Sequence, residues 1–359
     1  MKIHLPVRKA ILERRTYEAP AEGRRGKIRL DFNENTTGCS GAALTAVRGL
    51  SGKELAMYPE YQAPTQVLAR YFRVKPGELV LTNGGDDALR VFFDTFVEPD
   101  SHILICEPTF PMYRYYAEIA GARVEALRYS SEMEFPLQAV LKSLRKKPRV
   151  FFIANPNNPT GTLVEKSAIE KILRAASHSV VVLDEAYADF SGVTCVPWIG
   201  RYPNLFIAKT FSKAAGLAGL RLGAVIARSD SLALVRRALP PFPVNAAALA
   251  AGVAAVREGR TIERYIRETK RLREWFGAEL TLRNVRTYPS AGNFLLADFG
   301  AIGPAVFRRL ARSGILIRER SKDLGRGFAR IAIGTQKELQ AILRILDGKA
   351  GAKRSDGAT

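Results

Sequence analysis

Short apolar runs alternate with amphipathic segments between about residue 78 and residue 228. The runs are rich in β-branched residues and apolar at nearly every position, which is typical of strands in a sheet covered on both faces. They are ELVLT, HILICEP, RVFFIANP, VVVLDEA, LFIAKT and RLGAVIA. Four segments between them have apolar residues at helical spacing, namely DDALRVFFDTF, MYRYYAEIAG, LQAVLKSL and KSAIEKILRAA. The alternation predicts a layered α/β domain.

The pattern changes after the stretch LPPFPV. A long charged helix is predicted over residues 261–280, followed by shorter elements that predict a smaller α+β domain: NFLLADF, AVFRRLARSG, ILIRER, ARIAIG and KELQAILRIL. We therefore expect an N-terminal arm over residues 1–30, a large domain over 31–245, a small domain over 246–349 and a flexible tail over 350–359. No internal repeat is visible in the sequence.

The composition of the 359-residue chain, 47% hydrophobic and 25% charged, is that of an ordinary globular protein. No apolar run approaches the ~18 residues that span a bilayer. The first residues lack the apolar segment and cleavage site of a signal peptide, so the cytoplasm is the expected location. Three cysteines, Cys39, Cys106 and Cys195, without C-x-x-C spacing indicate neither a disulfide framework nor a zinc site.

A formal net charge of +20 raises nucleic acid as a partner. The basic residues are spread along the chain, with only brief runs such as RRGKIR and LRKKPR, and no zinc-finger, basic-zipper or RNP-like motif accompanies them. Specific nucleic-acid binding is therefore disfavoured. Attraction of small anionic substrates, or solubility alone, are the other uses of such a charge.

Ligands of layered α/β domains bind at the carboxyl ends of the strands, and three strand ends carry polar groups. ELVLT leads into Gly84, Gly85 and Asp86 at the start of a helix, where free amides can cradle a phosphate. A plain turn with an N-cap is the alternative. Neither a Walker motif nor G-x-G-x-x-G is present, so nucleotides are not favoured.

The next two strand ends add amides and a carboxylate. RVFFIA runs into NPNNPTG at residues 155–161, a string that would also serve as a polar turn. SVVVLDEAY places Asp184 at the end of an apolar strand, where a buried charge requires a cationic partner. An isolated Asp–Arg pair is the alternative for Asp184. In AKTFSKAAGLAGLRLGAVIA, Lys213 precedes Arg221 by eight positions, although a lysine after an apolar run is ordinarily an exposed loop end.

A cofactor with a phosphate, a ring nitrogen that pairs with a carboxylate and an aldehyde that reacts with a lysine would use all of these groups. Pyridoxal 5′-phosphate has that chemistry. The chain resembles the fold-type I aminotransferases, and within them it is most similar to the histidinol-phosphate aminotransferases. The shared motifs occur in the family's order along nearly the whole chain: DFNEN, YPE, GGDD, PTFPMY, NPNNPTG, DEAY, TFSKAAGLAGLR and ARIAIGT.

The resemblance implies a fold and a set of catalytic roles. The fold is that of the pyridoxal-phosphate transferases of fold type I, a large α/β/α sandwich domain with a smaller α+β domain. Lys213 would bond covalently to the cofactor and then move a proton between the substrate Cα and the cofactor C4′. Asp184 would keep the pyridine nitrogen protonated, and Asn158 and Tyr187 would hydrogen-bond the phenolic oxygen. Phe110 would stack on the ring, although plain core packing is the alternative for both aromatic residues.

The resemblance also implies how the cofactor phosphate and the substrates are held. The phosphate ligands would be Gly85, Asp86, Thr210, Ser212 and Arg221, together with Tyr58 from the other subunit of a homodimer. Arg330 would bind a substrate carboxylate such as that of glutamate. Arg318 would bind a substrate phosphate, a role that Arg320 or Arg326 could take instead. Asn33 and Tyr17 would line the amino-acid pocket.

The implied reaction moves an amino group from L-histidinol phosphate to 2-oxoglutarate, giving imidazole acetol phosphate and L-glutamate in histidine biosynthesis. A threonine-phosphate decarboxylase on the same scaffold is one alternative, against which LAGLR and NEN argue, and an aromatic amino acid aminotransferase is another. A cofactor-bearing transcription regulator would need a helix-turn-helix domain that an arm of about 30 residues cannot hold. A plain nucleic-acid-binding protein would leave Lys213, Asp184 and Asn158 without a purpose.

Overall fold

The computed structural model describes residues 5–12 and 22–348. Within these residues it contains twelve β-strands: β1 (Ile28–Leu30), β2 (Leu79–Thr82), β3 (His102–Glu107), β4 (Arg123–Arg128), β5 (Val150–Ala154), β6 (Val180–Asp184), β7 (Leu205–Thr210), β8 (Gly223–Ala227), β9 (Arg286–Thr287), β10 (Phe294–Asp298), β11 (Ile315–Glu319) and β12 (Phe328–Ala332).

The same described residues form fifteen α-helices: α1 (Lys9–Leu12), α2 (Gly41–Arg48), α3 (Gly52–Ala56), α4 (Gln62–Phe72), α5 (Gly84–Phe96), α6 (Met112–Ala120), α7 (Leu137–Leu144), α8 (Lys166–Ala175), α9 (Ala188–Ser191), α10 (Ser229–Ala238), α11 (Ala246–Glu258), α12 (Arg260–Thr281), α13 (Gly303–Arg312), α14 (Ser321–Leu324) and α15 (Gln336–Leu346). None of them is both long and apolar enough to span a bilayer.

The first sheet has seven strands in the order β2-β8-β7-β6-β5-β3-β4. All are parallel except β8, which runs antiparallel to β2 and β7. Alternate residues of β5 join two different hydrophobic clusters, Phe151 and Ile153 in one and Val150 and Phe152 in the other. Because alternate side chains point to opposite faces, the sheet is covered on both sides, as the continuous apolar runs predict.

The second sheet has five strands in the order β1-β11-β12-β10-β9. Strand β1 pairs in parallel with β11, so residues 28–30 join elements nearly 300 residues later in the chain. The hydrophobic cluster under this sheet includes Phe276 of α12, Leu310 of α13 and Ile342 of α15. The long helix predicted over residues 261–280 is confirmed, and it extends one residue further at each end.

The strand ends of the first sheet converge at one edge. Strands β2, β3, β5, β6 and β7 end there, and the antiparallel strand β8 begins there, since Gly223 pairs with both Thr82 and Thr210. A Cβ atom on Gly223 would lie 2.5 Å from the carbonyl carbon of Gly84. Only glycine allows β8 to begin so close to the first residue of α5, and this closeness brings Arg221 to the same edge.

Candidate active site

A cavity of 460 Å³ opens at this edge of the first sheet and is also lined by residues of the second sheet. Twelve of the residues proposed from sequence line it: Gly85, Asp86, Phe110, Asn158, Asp184, Tyr187, Thr210, Ser212, Lys213, Arg221, Arg318 and Arg330. The motifs that carry them are up to 245 positions apart in the chain, so the fold brings them to one place. Tyr17 lies outside the described residues.

Lys213 follows β7 and presents its amine to the cavity. Its Nζ donates a hydrogen bond to the backbone carbonyl of Phe32 at 2.9 Å and lies 5.8 Å from the centre of the Tyr187 ring. It forms no ion pair with any residue that the structure describes. A lysine held by one neutral acceptor keeps its amine available for chemistry.

Lys209, four residues earlier, is held quite differently. Its Nζ lies 2.6 Å from Glu185, and both side chains are buried. Burial by itself lowers the pKa of Lys209, but the carboxylates of Glu185 and Asp189 outweigh it and raise the pKa above its usual value. Glu185 also accepts hydrogen bonds from the Thr194 hydroxyl and the Cys195 amide. Lys209 also lines the cavity, but its amine is committed to this ion pair.

Asp184 ends β6 with a donor on each carboxylate oxygen. Oδ2 accepts a hydrogen bond from the Tyr113 hydroxyl at 2.7 Å, and Oδ1 accepts one from the Ala186 amide at 3.0 Å. Burial raises the pKa of Asp184, and the two hydrogen bonds oppose that shift. The remaining lone pairs are free for a ligand in the cavity.

Hydrogen-bond donors gather at the start of α5. Arg221, in the left-handed conformation at φ 58°, donates to the Asp86 carboxylate at 3.1 Å, and the Thr210 hydroxyl donates to Ser212 at 3.0 Å. A Cβ atom on Gly84 would lie 2.6 Å from Nη2 of Arg221, so glycine permits this approach. The Asp86 carboxylate would repel an anion, and only its backbone amide could bind one. The cluster therefore offers amides, hydroxyls and a guanidinium to a phosphate.

Tyr187 and Asn158 lie deeper in the cavity. The hydroxyl of Tyr187 accepts a hydrogen bond from Nδ2 of Asn33 at 2.9 Å. Asn33 is fully buried and does not line the cavity, so it acts on this site through Tyr187. Asn158 Oδ1 accepts a hydrogen bond from Arg330. Both side chains leave a donor, the Asn158 amide and the Tyr187 hydroxyl proton, for a ligand.

Three arginines on or next to the second sheet differ in how they are held. Arg330, 6% exposed on β12, donates to Asn158 and to the carbonyl of Asp31, and burial lowers the pKa of its guanidinium to about 10. Arg318 lies opposite Arg330 in the β11–β12 register, and its side chain has no ion pair or hydrogen bond with the described residues. Arg320 also lines the cavity but pairs with Asp323, whereas Arg326 does not line it.

Tyr58 lies away from the cavity. Its side chain is 77% exposed and stacks on Phe242, with ring centres 4.3 Å apart. Among the described residues, no hydrogen bond or ring contact connects it to the hydrogen-bond donors at the start of α5. A contribution of Tyr58 to a phosphate site would have to come from a second copy of the chain.

Several residues that shape the site are absent from the sequence-based proposal. Phe32 and Asp31 act through backbone carbonyls, which no residue type signals, although both belong to the quoted motif DFNEN. Glu34 of the same motif lines the cavity, where Arg24 and Arg29 hold its carboxylate. Tyr113 could have been noticed, since it is the last residue of the quoted motif PTFPMY.

Comparisons with known proteins agree with this geometry. The model of the family aminotransferase class I and II matches residues 25–346. A histidinol-phosphate aminotransferase of Geobacillus sp. (strain WCH70) is 35% identical over 326 residues, covering 89% of each chain. The solved histidinol-phosphate aminotransferase of Sinorhizobium meliloti, in complex with pyridoxal-5′-phosphate, has a TM-score of 0.88 at 23% identity and covers 96% of this chain and 99% of its own. The L-threonine-O-3-phosphate decarboxylase of Porphyromonas gingivalis shares the fold with a TM-score of 0.78 at 23% identity over 89% of this chain and 98% of its own. The chain belongs to the class I and II aminotransferases, a family that depends on pyridoxal 5′-phosphate.

Proposed function

We propose that this protein is a homodimeric aminotransferase that moves an amino group from L-histidinol phosphate to 2-oxoglutarate, yielding imidazole acetol phosphate and L-glutamate. One observation carries the proposal: a single cavity is lined by Lys213 and Asp184 from the first sheet and by Arg318 and Arg330 from the second. The amine and carboxylate suit the cofactor, and the arginines suit anionic substrates. The relatives named histidinol-phosphate aminotransferase support the choice of substrate.

The residues present fit pyridoxal 5′-phosphate. The donors at the start of α5, with Thr210, Ser212 and Arg221, would hold its phosphate, and the carboxylate of Asp184 would pair with its ring nitrogen. Asn158 and Tyr187 would donate to its phenolic oxygen, and Phe110 offers a ring face. When bound, the cofactor supplies an electron-withdrawing ring that stabilises negative charge at the substrate Cα.

Lys213 is the group that moves the proton. Its Nζ would take the proton from the substrate Cα as a general base and return it as a general acid. The amine needs no charge partner to be broken first, because it donates only to the carbonyl of Phe32. Tyr187, held by Asn33, borders the lysine and fixes one side of its approach.

The arginines would divide the anionic groups of the two substrates. Arg330 is already oriented by Asn158 and Asp31, and a fixed guanidinium suits the planar, two-oxygen geometry of a carboxylate. Arg318 has no partner to displace among the described residues, so it is the better group for a phosphate that enters and leaves. Arg320 is partly neutralised by Asp323 and would contribute less.

A spectroscopic titration tests the proposal. Adding L-histidinol phosphate to the cofactor-loaded protein should bleach the visible absorbance in a single turnover, and 2-oxoglutarate should restore it with release of L-glutamate. Release of carbon dioxide from L-threonine phosphate, without amino transfer, would assign the protein to the decarboxylases instead. Faster turnover of aromatic amino acids than of L-histidinol phosphate would indicate an aromatic aminotransferase.

The dimer rests on an exposed apolar cluster around Tyr58. Leu55, Met57 and Tyr58 are 62%, 57% and 77% exposed, and Phe242 beside them is 48% exposed. Exposed apolar side chains grouped in this way favour burial against a partner surface. A second copy of the chain would cover them and bring Tyr58 to the neighbouring phosphate site.

We also infer a cytoplasmic location, which the three free thiols support.

A further inference from the structure

Tyr113 carries a hydroxyl group where packing alone would need none. Its side chain, at the start of α6, has no exposed surface, yet its hydroxyl reaches the Asp184 carboxylate and donates to Oδ2 at 2.7 Å. Burial and the nearby Asp184 raise the pKa of this phenol well above its ordinary value, so the hydroxyl stays protonated. A neutral phenol in this position is a permanent donor.

The position of the Tyr113 ring does not depend on that hydrogen bond. The ring stacks on Phe152 of β5 with centres 5.3 Å apart, and Phe152 stacks on Phe93 of α5 at 5.0 Å. Phe110 packs its edge against the same ring at 5.9 Å. Phe152 and Phe110 therefore fix the ring, with Phe93 stacked on Phe152, and the ring in turn fixes the hydroxyl relative to Asp184.

Asp184 needs this donor because its other neighbours have opposing effects on the ionisation of its carboxyl group. The Ala186 amide is the second donor, the Lys213 amine favours the ionised form, and the Asp86 carboxylate opposes it. Burial, the largest influence, also favours the protonated acid. Loss of the Tyr113 hydroxyl would raise the pKa of Asp184 further and leave one oxygen without its partner.

We propose that Tyr113 is a positioning residue for the cofactor: its hydroxyl orients the Asp184 carboxylate and keeps it ionised, so that Asp184 can pair with the protonated ring nitrogen. The inference rests on the proposed function, since it assigns a supporting partner to a residue of that site. It also gives Phe110 and Asp184 a common support, because both contact Tyr113.

The test removes only the hydroxyl. Tyr113→Phe keeps the stacked ring, and Tyr129→Phe is the matched control, since Tyr129 is a buried tyrosine near Tyr113 that does not bond to Asp184. Each protein, stripped of cofactor, is titrated with pyridoxal 5′-phosphate at about pH 8 and about pH 5.5, and the dissociation constant is read from the visible absorbance.

We expect Tyr113→Phe to bind the cofactor about tenfold or more weakly than the wild type, the range for a lost hydrogen bond to a charged group. The ratio of the two constants should grow from the higher to the lower pH. The variant's Asp184 has the higher pKa, so it takes up its proton first as the pH falls. Tyr129→Phe should show neither change.

The outcomes separate two failures. A wild-type protein that takes up no cofactor refutes the proposed function itself. A wild type that binds the cofactor, beside a Tyr113→Phe protein whose constants match those of Tyr129→Phe at both pH values, refutes only the role of Tyr113. Equal weakening of both variants at both pH values also refutes it, because general damage to the core would then explain the effect.

Discussion

The two walls of the cavity are built on different principles. On the wall formed by the first sheet, the polar groups lie at or within a few residues of strand ends: Asp184 is the last residue of β6, and Lys213 follows shortly after β7. On the wall formed by the second sheet and the residue that follows β11, three arginines have different partners. Arg330 is buried and oriented, Arg320 is paired with Asp323, and Arg318 has no partner among the described residues.

The first wall therefore prepares the groups for the cofactor, whereas the second wall would select the substrate. Groups at strand ends are placed by the backbone of the sheet, so their positions change little with the side chains around them. The availability of an arginine depends instead on which acidic groups reach it in the folded chain. The hydrogen bond between Arg330 and Asn158 joins the two walls, so a substrate carboxylate bound by Arg330, as proposed above, would also be positioned relative to the cofactor.

The largest expected effect separates two lysines of the first wall. Lys213→Ala should lower amino transfer by about 10⁴-fold, the upper range for a positioned acid–base group, because the amine of Lys209, the other lysine that lines the cavity, is held in an ion pair with Glu185. The protein should remain folded, since the amine makes a single hydrogen bond. Single-turnover bleaching with L-histidinol phosphate and a thermal unfolding curve measure the two effects.

Lys209→Ala is the matched comparison, four residues earlier and within β7. It leaves Glu185 buried without its cation, and breaking such a pair costs about 3–5 kcal/mol of stability. We therefore expect a lowered unfolding midpoint with a smaller loss of chemistry per folded molecule. An active Lys213→Ala protein, or a Lys209→Ala protein as stable as the wild type, would contradict the division of roles.

The first wall could be predicted from sequence for a physical reason. Continuous apolar runs such as VFFIA and VVVLD identify buried strands, and the polar residue after each run must lie at the carboxyl edge of the sheet. Strand β4 was missed because its sequence RVEALR has charged and half-exposed positions at the edge of the sheet. The roles of Lys213, Asp184 and Asn158 stay predictions, supported by their shared cavity.

The second wall could be predicted only in outline. The sequence indicated arginines near the site, but it could not show that Asp323 would reach Arg320 or that the carbonyl of Asp31 would reach Arg330. It also did not indicate that residues 28–30 would pair with β11 and carry the DFNEN segment into the cavity. Contacts between such distant segments depend on tertiary packing, which local patterns do not encode.

A smaller loss of rate tests whether the arginines of the second wall distinguish between the two amino donors. Arg318→Ala should slow the half-reaction with L-histidinol phosphate about tenfold to hundredfold, the cost of one charge-assisted contact, and should affect L-glutamate less. Arg320→Ala should affect both donors only slightly, because Asp323 already occupies that guanidinium. Single-turnover rates with each donor provide the comparison.

The reverse order, with Arg320→Ala the more damaging to L-histidinol phosphate, would make Arg320 the phosphate ligand. If Arg318→Ala lowers the single-turnover rates with both amino donors equally, Arg318 has only a structural role. Arg318→Lys separates charge from geometry, since it keeps the positive charge but loses the planar pair of donors.

The smallest expected effect concerns Tyr58, which belongs to neither wall of its own chain. Tyr58→Ala should weaken cofactor binding about tenfold, the cost of one hydrogen bond to a phosphate.

A mixture of Tyr58→Ala protein with Lys213→Ala protein shows which site Tyr58 serves. If Tyr58 reaches the neighbouring site, a mixed dimer contains one site with both an intact lysine and an intact tyrosine, so mixing restores tight binding and activity there. If Tyr58 serves its own chain, every site in the mixture lacks one of the two residues and mixing restores nothing. Mixing the two variants at equal concentration, with exchange of subunits verified by mass, therefore tests whether the exposed Tyr58–Phe242 stack completes the cavity of a second copy.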